Sequence, residues 1–299
     1  MKRKYVVSGL GLLLGVAALG LAFYSLSYES TLHNRAGENE NSSGRQKASS
    51  NTAERYVSTL IAEKKIEGSV LRLVRGRAFS IVRNEQRPDG DALNYVRSLL
   101  EKSKAGDASA TYEIYIAVSQ CNATLQPPAQ GVLDAYREVG AEVNYLKSID
   151  KRFQECKSLT EDFDLMRTPW LDLAAQQGSI EAMVMYASDP DSVIGSPSEY
   201  LSHADRLVDY RKKAVGYLQQ AAGMGSVDAL MALGRAYDSG IITEKSAIKS
   251  YAYYKALESV QPNTDLQAVL EVSRKSLNQA QVSQADRLAG EIVNSCCTQ

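Results

Sequence analysis

The chain begins with one unbroken apolar run from Tyr5 to about Tyr24, VVSGLGLLLGVAALGLAFY, preceded by Lys2, Arg3 and Lys4. About 20 residues at 1.5 Å each cover the roughly 30 Å of a bilayer's hydrocarbon. Positive charge ahead of such a run stays on the cytoplasmic side and carries the remaining chain outward. The pattern predicts an N-terminal transmembrane helix within residues 1–28, acting as an anchor or uncleaved signal. Small residues at Gly20-Leu21-Ala22 and Ser25-Leu26-Ser27 leave a removed signal peptide as the other reading. Residues 29–52 (ending HNRAGENENSSGRQKASSNT) hold almost nothing to bury and read as a flexible linker. In 53–87, the segment VLRLVRGRAFSIVR fits either an amphipathic helix or a short strand pair turning at Gly76, and periodicity does not decide between them. Its arginines Arg72, Arg75, Arg77 and Arg83 fit a solvated face better than a lipid contact.

Across 88–299 apolar residues recur every three or four positions between short Gly, Asn, Ser or Pro breaks, which predicts helices almost throughout. Residues 126–130 (QPPAQ) and 188–198 (SDPDSVIGSPS) read as loops, and Gly131 to Lys157 as one long helix. Thr168-Pro169 fits an N-cap followed by proline at the first helical position, and Ser283 is a candidate cap for a last helix reaching about Asn294.

Three segments repeat one design: KSKAGDASATYEIYIA from Lys102, LAAQQGSIEAMVMYA from Leu173 and LQQAAGMGSVDALMALGRAY from Leu218. Their glycines align at Gly106, Gly178 and Gly225, and their alanines at Ala110, Ala182 and Ala229. A helix that stops and reverses needs a residue at ease in the left-handed region just past its end. The alanine then lets two helices joined by so short a turn approach closely. The third copy continues with Leu233-Gly234, Tyr237, Gly240, Ala247, Tyr251 and Lys255-Ala256. With these residues the chain resembles the SEL-like branch of the tetratricopeptide-like repeats, and SLNQAQVSQADRLAGEIV looks like the helices that close such arrays. The resemblance implies an all-α fold, an irregular α-solenoid of antiparallel helix pairs. It also implies bacterial origin and a function in binding other proteins. The glycines lie 72 and then 47 residues apart, so the family's regular period of about 35 residues is expected to be interrupted by the Gly131–Lys157 helix and by the insertion before His203.

A formal net charge of -1 over 299 residues leaves no basic stripe for nucleic acid. Cys121 and Cys156 are candidates for a disulfide in an oxidising compartment, with a pair of buried thiols as the alternative, while Cys296 and Cys297 lie next to the C-terminus. None of the cysteines has zinc-ligand spacing, and His33 and His203 lie far apart, so no metal is expected. No nucleophile elbow or phosphate loop occurs. Gly11 and Gly15 lie inside the apolar run, and Glu161, Asp162 and Asp164 read as negative charge at a helix start. No catalytic residue and no cofactor are expected. Among 17 tyrosines against four phenylalanines, Tyr237 and Tyr251 match repeat positions. Tyr251, Tyr253 and Tyr254 cannot all face inward from one helix, which leaves Tyr253 and Tyr254 as candidate partner contacts. The expectation is a single-pass inner-membrane protein whose periplasmic domain binds another envelope protein or peptide. The alternative is a cell-envelope enzyme or ligand-binding protein with its site among helices 89–158.

Overall fold

A left-handed glycine followed by a side-chain cap closes each of the three repeated turns. The computed structural model describes residues 71–82, 86–196, 198, 202–262 and 264–298. The expected transmembrane segment, the linker, residues 53–70 and Arg83 lie outside them. Helices α1 (Ala92–Lys104) and α2 (Ala108–Thr124) meet at Gly106, α6 (Trp170–Gln177) and α7 (Ile180–Tyr186) at Gly178, and α9 (Ala204–Gly223) and α10 (Val227–Ser239) at Gly225. Backbone φ at these glycines is 92, 107 and 104°. In each turn the glycine N–H and the one after it return to carbonyls near the helix end, as in Ser179 to Ala174 and Ser226 to Ala221, both at 3.0 Å. This double closure satisfies carbonyls that a helix end leaves without partners. The residue after each glycine then caps the second helix. Asp107, Ser179 and Ser226 accept from the N–H groups of Ala110, Ala182 and Ala229 at 3.0, 3.1 and 3.2 Å. The aligned alanines are buried, as a close crossing requires.

A fourth turn of the same kind corrects the expected long helix. Gly140 (φ 69°) separates α3 (Gln130–Glu138) from α4 (Glu142–Thr160), with Ala141 N–H bonded to the Tyr136 carbonyl at 2.8 Å. Gly140 falls 34 residues after Gly106 and 38 before Gly178, so the apparent 72-residue gap contains a further helix pair near the regular period. Asn144 replaces the alanine and Ala141 supplies no side-chain cap, which is why the alignment misses it.

The short helices α5 (Phe163–Arg167) and α8 (Asp191–Ile194) fill connections, while α11 (Ala247–Val260), α12 (Thr264–Lys275) and α13 (Gln279–Cys296) close the chain. Packing runs from α2 onto α6, from α7 onto α9, from α10 onto α11 and from α11 onto α13, and the described residues belong to one unit. The buried side chains form a continuous core from Leu71 to Cys297. Between the first and third pairs it includes a polar link: Ser103 and Thr111 hydroxyls lie 2.7 Å apart, Thr111 also bonds Gln177, and Gln177 Nε2 donates to the Ser103 carbonyl at 2.9 Å.

Two further caps differ from expectation. Thr168 ends α5, its hydroxyl donating to the Asp164 carbonyl, and Pro169 is itself the residue before α6. Asn278, paired with Gln281 in a reciprocal capping box, starts α13, and Ser283 lies inside it. Asp162 does cap α5, accepting from Leu165 N–H.

The all-α expectation is corrected by one element, the strand-pair reading of the N-terminal segment. Strands β1 (Leu71–Arg75) and β2 (Ala78–Ile81) pair antiparallel with Leu71 opposite Ile81 and Leu73 opposite Phe79, turning at Gly76. Leu71, Ala78, Phe79 and Ile81 face the core, while Arg72, Arg75 and Arg77 are exposed. The free edge of β2 is consumed by the α9–α10 turn: Phe79 N–H bonds the Gly225 carbonyl at 2.9 Å and Ile81 N–H bonds Asp228 Oδ2 at 2.7 Å. Arg77 N–H reaches the Cys297 carbonyl at 3.2 Å, so one hairpin ties the α9–α10 turn to the chain's end. A Cβ on Gly225 would stand 2.6 Å from the Arg77 carbonyl oxygen, so this glycine serves both the turn and the close approach.

Candidate protein-interaction groove

The turn at Gly178 and the turn at Gly225 set α7 and α10 in successive pairs, and a groove lies between them. Its volume is about 500 Å³. Val184 and Ala187 of the α7 end, Leu218 of α9, and Met231, Ala232 and Ala236 of α10 make an apolar floor, and Ile241 and Ile242 of the following loop extend it. The loop is placed by Gly240, which ends α10 at φ 74°, and by Ser246 N–H, which returns to the Tyr237 carbonyl at 2.8 Å. Ile241 is 74% exposed, a large apolar residue beside an apolar trough.

Polar groups sit at the rim. Asp228 is occupied by the β2 edge. Arg235 is exposed on α10, and no ion pair or hydrogen bond holds it among the described residues. An apolar trough with a free guanidinium on its edge can take aliphatic or aromatic side chains while pairing a carboxylate. Among the described residues no group of three His, Cys, Asp or Glu is placed to hold a metal, and no helix is long and apolar enough to cross a membrane.

The two tyrosines singled out from sequence behave differently. Tyr254 is 4% exposed. Its ring lies against Gly234, where a Cβ would stand 2.6 Å from it, so Tyr254 is corrected to a packing residue. Tyr253 is partly exposed and stacks on Tyr237 at 5.7 Å; burial pushes its hydroxyl pKa up to about 12. Tyr251 is buried as well. These three can all pack because α11 lies between α10 and α13 and has two inward faces, not the single one of a surface helix.

Cys121 of α2 and Cys156 of α4 form a disulfide with Cα atoms 5.2 Å apart. It pins α4 beside α2, next to a partly buried Arg87–Glu155 ion pair of 2.8 Å. Burial works against the Glu155 carboxylate, but the Gly90 N–H and the Arg87 guanidinium outweigh it and hold its pKa below the usual range. Cys296 and Cys297 are also disulfide-bonded and both are buried. In the region of the alternative site, a cavity of about 440 Å³ is lined by Leu93, Arg97, Ser158, Glu161, Asp162, Phe163 and Asp164. It is open to solvent, with Phe163 68% exposed and Asp162 committed to the α5 cap.

Sequence reasoning missed Arg235, Met231 and the Ile241-Ile242 loop. Their only signal was position, since they occupy the variable sites between the motif residues of the best repeat copy.

No family model and no curated protein matches the chain. Among solved structures, it is similar to a protective antigen present in uropathogenic Escherichia coli strains, described as displaying an SLR fold. The match has a TM-score of 0.28 and 15% identity and covers 70% of this chain and 54% of that one. The chain thus spans about half the length of that structure. So distant a superposition carries no weight for function, and the helix-pair architecture rests on the four glycine turns.

Proposed function

We propose that the chain is a membrane-anchored, extracytoplasmic scaffold or adaptor, without catalytic activity, that docks an apolar and acidic segment of another envelope protein in the α7–α10 groove. The single observation that carries this is the groove itself, with its apolar floor, the exposed Ile241 and the exposed Arg235 guanidinium at its rim. The 20-residue apolar run with its leading basic cluster supports the anchor, and the Cys121–Cys156 disulfide fits an oxidising compartment. Successive helix pairs leave such grooves because each pair buries one face on its neighbour and presents another.

Two measurements test the reading. Crosslinking in the producing cell followed by affinity purification is expected to recover a reproducible partner, lost with Arg235→Glu and with Ile241→Lys. No reproducible partner, or one retained by both variants, overturns the groove assignment. Alkaline carbonate extraction of membranes is expected to leave the full chain in the pellet, and its release contradicts the anchor.

A further inference from the structure

The α3–α4 hairpin stands away from the stack. No residue of α3 is buried, and only Cys156 and Leu159, near the end of α4, are buried there. Helix α3 packs on α4, and α4 packs on α1 and α2. The other three repeated pairs have buried residues on both helices, whereas this one leaves a run of large apolar side chains in solvent: Val132 at 41%, Val139 at 75%, Val143 at 65%, Leu146 at 45% and Phe153 at 44% exposed. The hairpin nonetheless holds its own shape. Tyr136 and Tyr145 stack at 4.0 Å across the turn, and Arg137 bridges Asp134 and Glu142 at 2.7 and 2.8 Å. A rigid unit that exposes this much apolar surface marks an interaction site.

On α4, Val143, Leu146, Asp150 and Phe153 follow the alternating three- and four-residue spacing of a helix–helix seam. One of the four is an acid, and Lys147 lies beside it. Both are exposed, and neither is held by another described side chain. A second α4 laid antiparallel about a twofold axis near Ser148 sets Val143 against Phe153 and Leu146 against Asp150. At 1.5 Å of rise per residue, the same axis brings Lys147 of each copy within about 1.5 Å, measured along the helix, of Asp150 of the other. The seam is therefore self-complementary in charge, with a Val143–Phe153 apolar contact at each end. Residues 130–160 carry five basic and five acidic side chains, a balance that draws the hairpin neither to an anionic bilayer nor to nucleic acid.

We infer that the α3–α4 hairpin is a dimerisation arm whose partner is a second copy of this chain, packed antiparallel through Val143, Leu146 and Phe153 and locked by reciprocal Lys147–Asp150 pairs. Such an interface is isologous, so each variant acts twice.

The full chain in detergent, measured by mass photometry and by light scattering after size exclusion, is expected to be a dimer. Leu146→Glu is expected to give monomer with unchanged helicity by circular dichroism. Lys147→Asp and Asp150→Lys are each expected to weaken dimerisation by about 10-fold or more, as like charges then face one another, and the double swap is expected to recover it. A monomer at all accessible concentrations overturns the inference. So does a dimer that survives Leu146→Glu, or one in which the double swap is as weak as the sum of its parts. Capture of a different protein, lost on Leu146→Glu while the chain stays monomeric, would also overturn it.

Discussion

Gly234 shows how a single motif residue is fixed by its neighbour. Its absent side chain is the space filled by the Tyr254 ring, so Gly234→Ala is expected to overpack α10 against α11 and cost about 1–3 kcal/mol. Urea unfolding checks this. Tyr254→Leu in the same background is expected to recover part of the loss, and strict additivity of the two changes would contradict the contact. A second comparison separates the two demands placed on Gly225. Gly106→Ala meets no atom within 4 Å and is expected to cost only the left-handed conformation, about 1 kcal/mol. Gly225→Ala adds the collision with the Arg77 carbonyl and is expected to cost clearly more, loosening the β-hairpin in hydrogen exchange. Both glycines and their alanines were readable from sequence because the turn's conformation admits few other residues. The caps Asp107, Ser179 and Ser226 follow each glycine directly, but a carboxylate and a hydroxyl serve equally there, so they align less plainly than the glycines and alanines.

At the scale of elements, the α4 helix is held by a disulfide, an ion pair and acid-sensitive contacts close together. Removing the bridge with Cys121→Ser and Cys156→Ser together opens a loop set by a separation of 35 residues, and the chain-entropy model gives a loss of about 3–4 kcal/mol. Differential scanning calorimetry against the oxidised protein measures it, and an unchanged midpoint contradicts a closed bridge. Glu155, Asp89 and Asp91 all have pKa values below the usual carboxylate range; for Asp89 the Lys151 hydrogen bond leads, and for Asp91 the Ser158 hydroxyl. Depressed folded-state values mean that their contribution is fully present above the unfolded carboxylate range of about 4–4.5 and is lost as pH falls through the folded values. Stability is therefore expected to be level from about pH 5 to 7 in these contacts and to decline below about pH 4.5, with Glu155→Gln flattening part of that decline. The helix pairs were legible here, but the break at Gly140 was not. Its turn works through backbone hydrogen bonds alone, with Asn144 where the motif has alanine. The β-hairpin was legible only as one of two readings, because a short segment buried by its long-range bonds to Gly225, Asp228 and Cys297 carries little periodicity of its own.

Across the described residues, a β-hairpin ties the last of a stack of helix pairs to the C-terminal helix, and the stack leaves a groove between α7 and α10. Motif positions placed the helices and left the rim of the groove unspecified, since exposed residues such as Arg235 and Ile241 lie between the motif positions. The most direct test puts a photo-crosslinking amino acid at Met231 in the groove and, in a second strain, at the exposed Lys212 of α9 outside it. Irradiated cells are expected to show a discrete crosslinked protein from position 231, absent from 212 and abolished by Arg235→Glu. Equal crosslinking from both positions, or none from 231 while the protein is folded and present, contradicts the groove as the binding site.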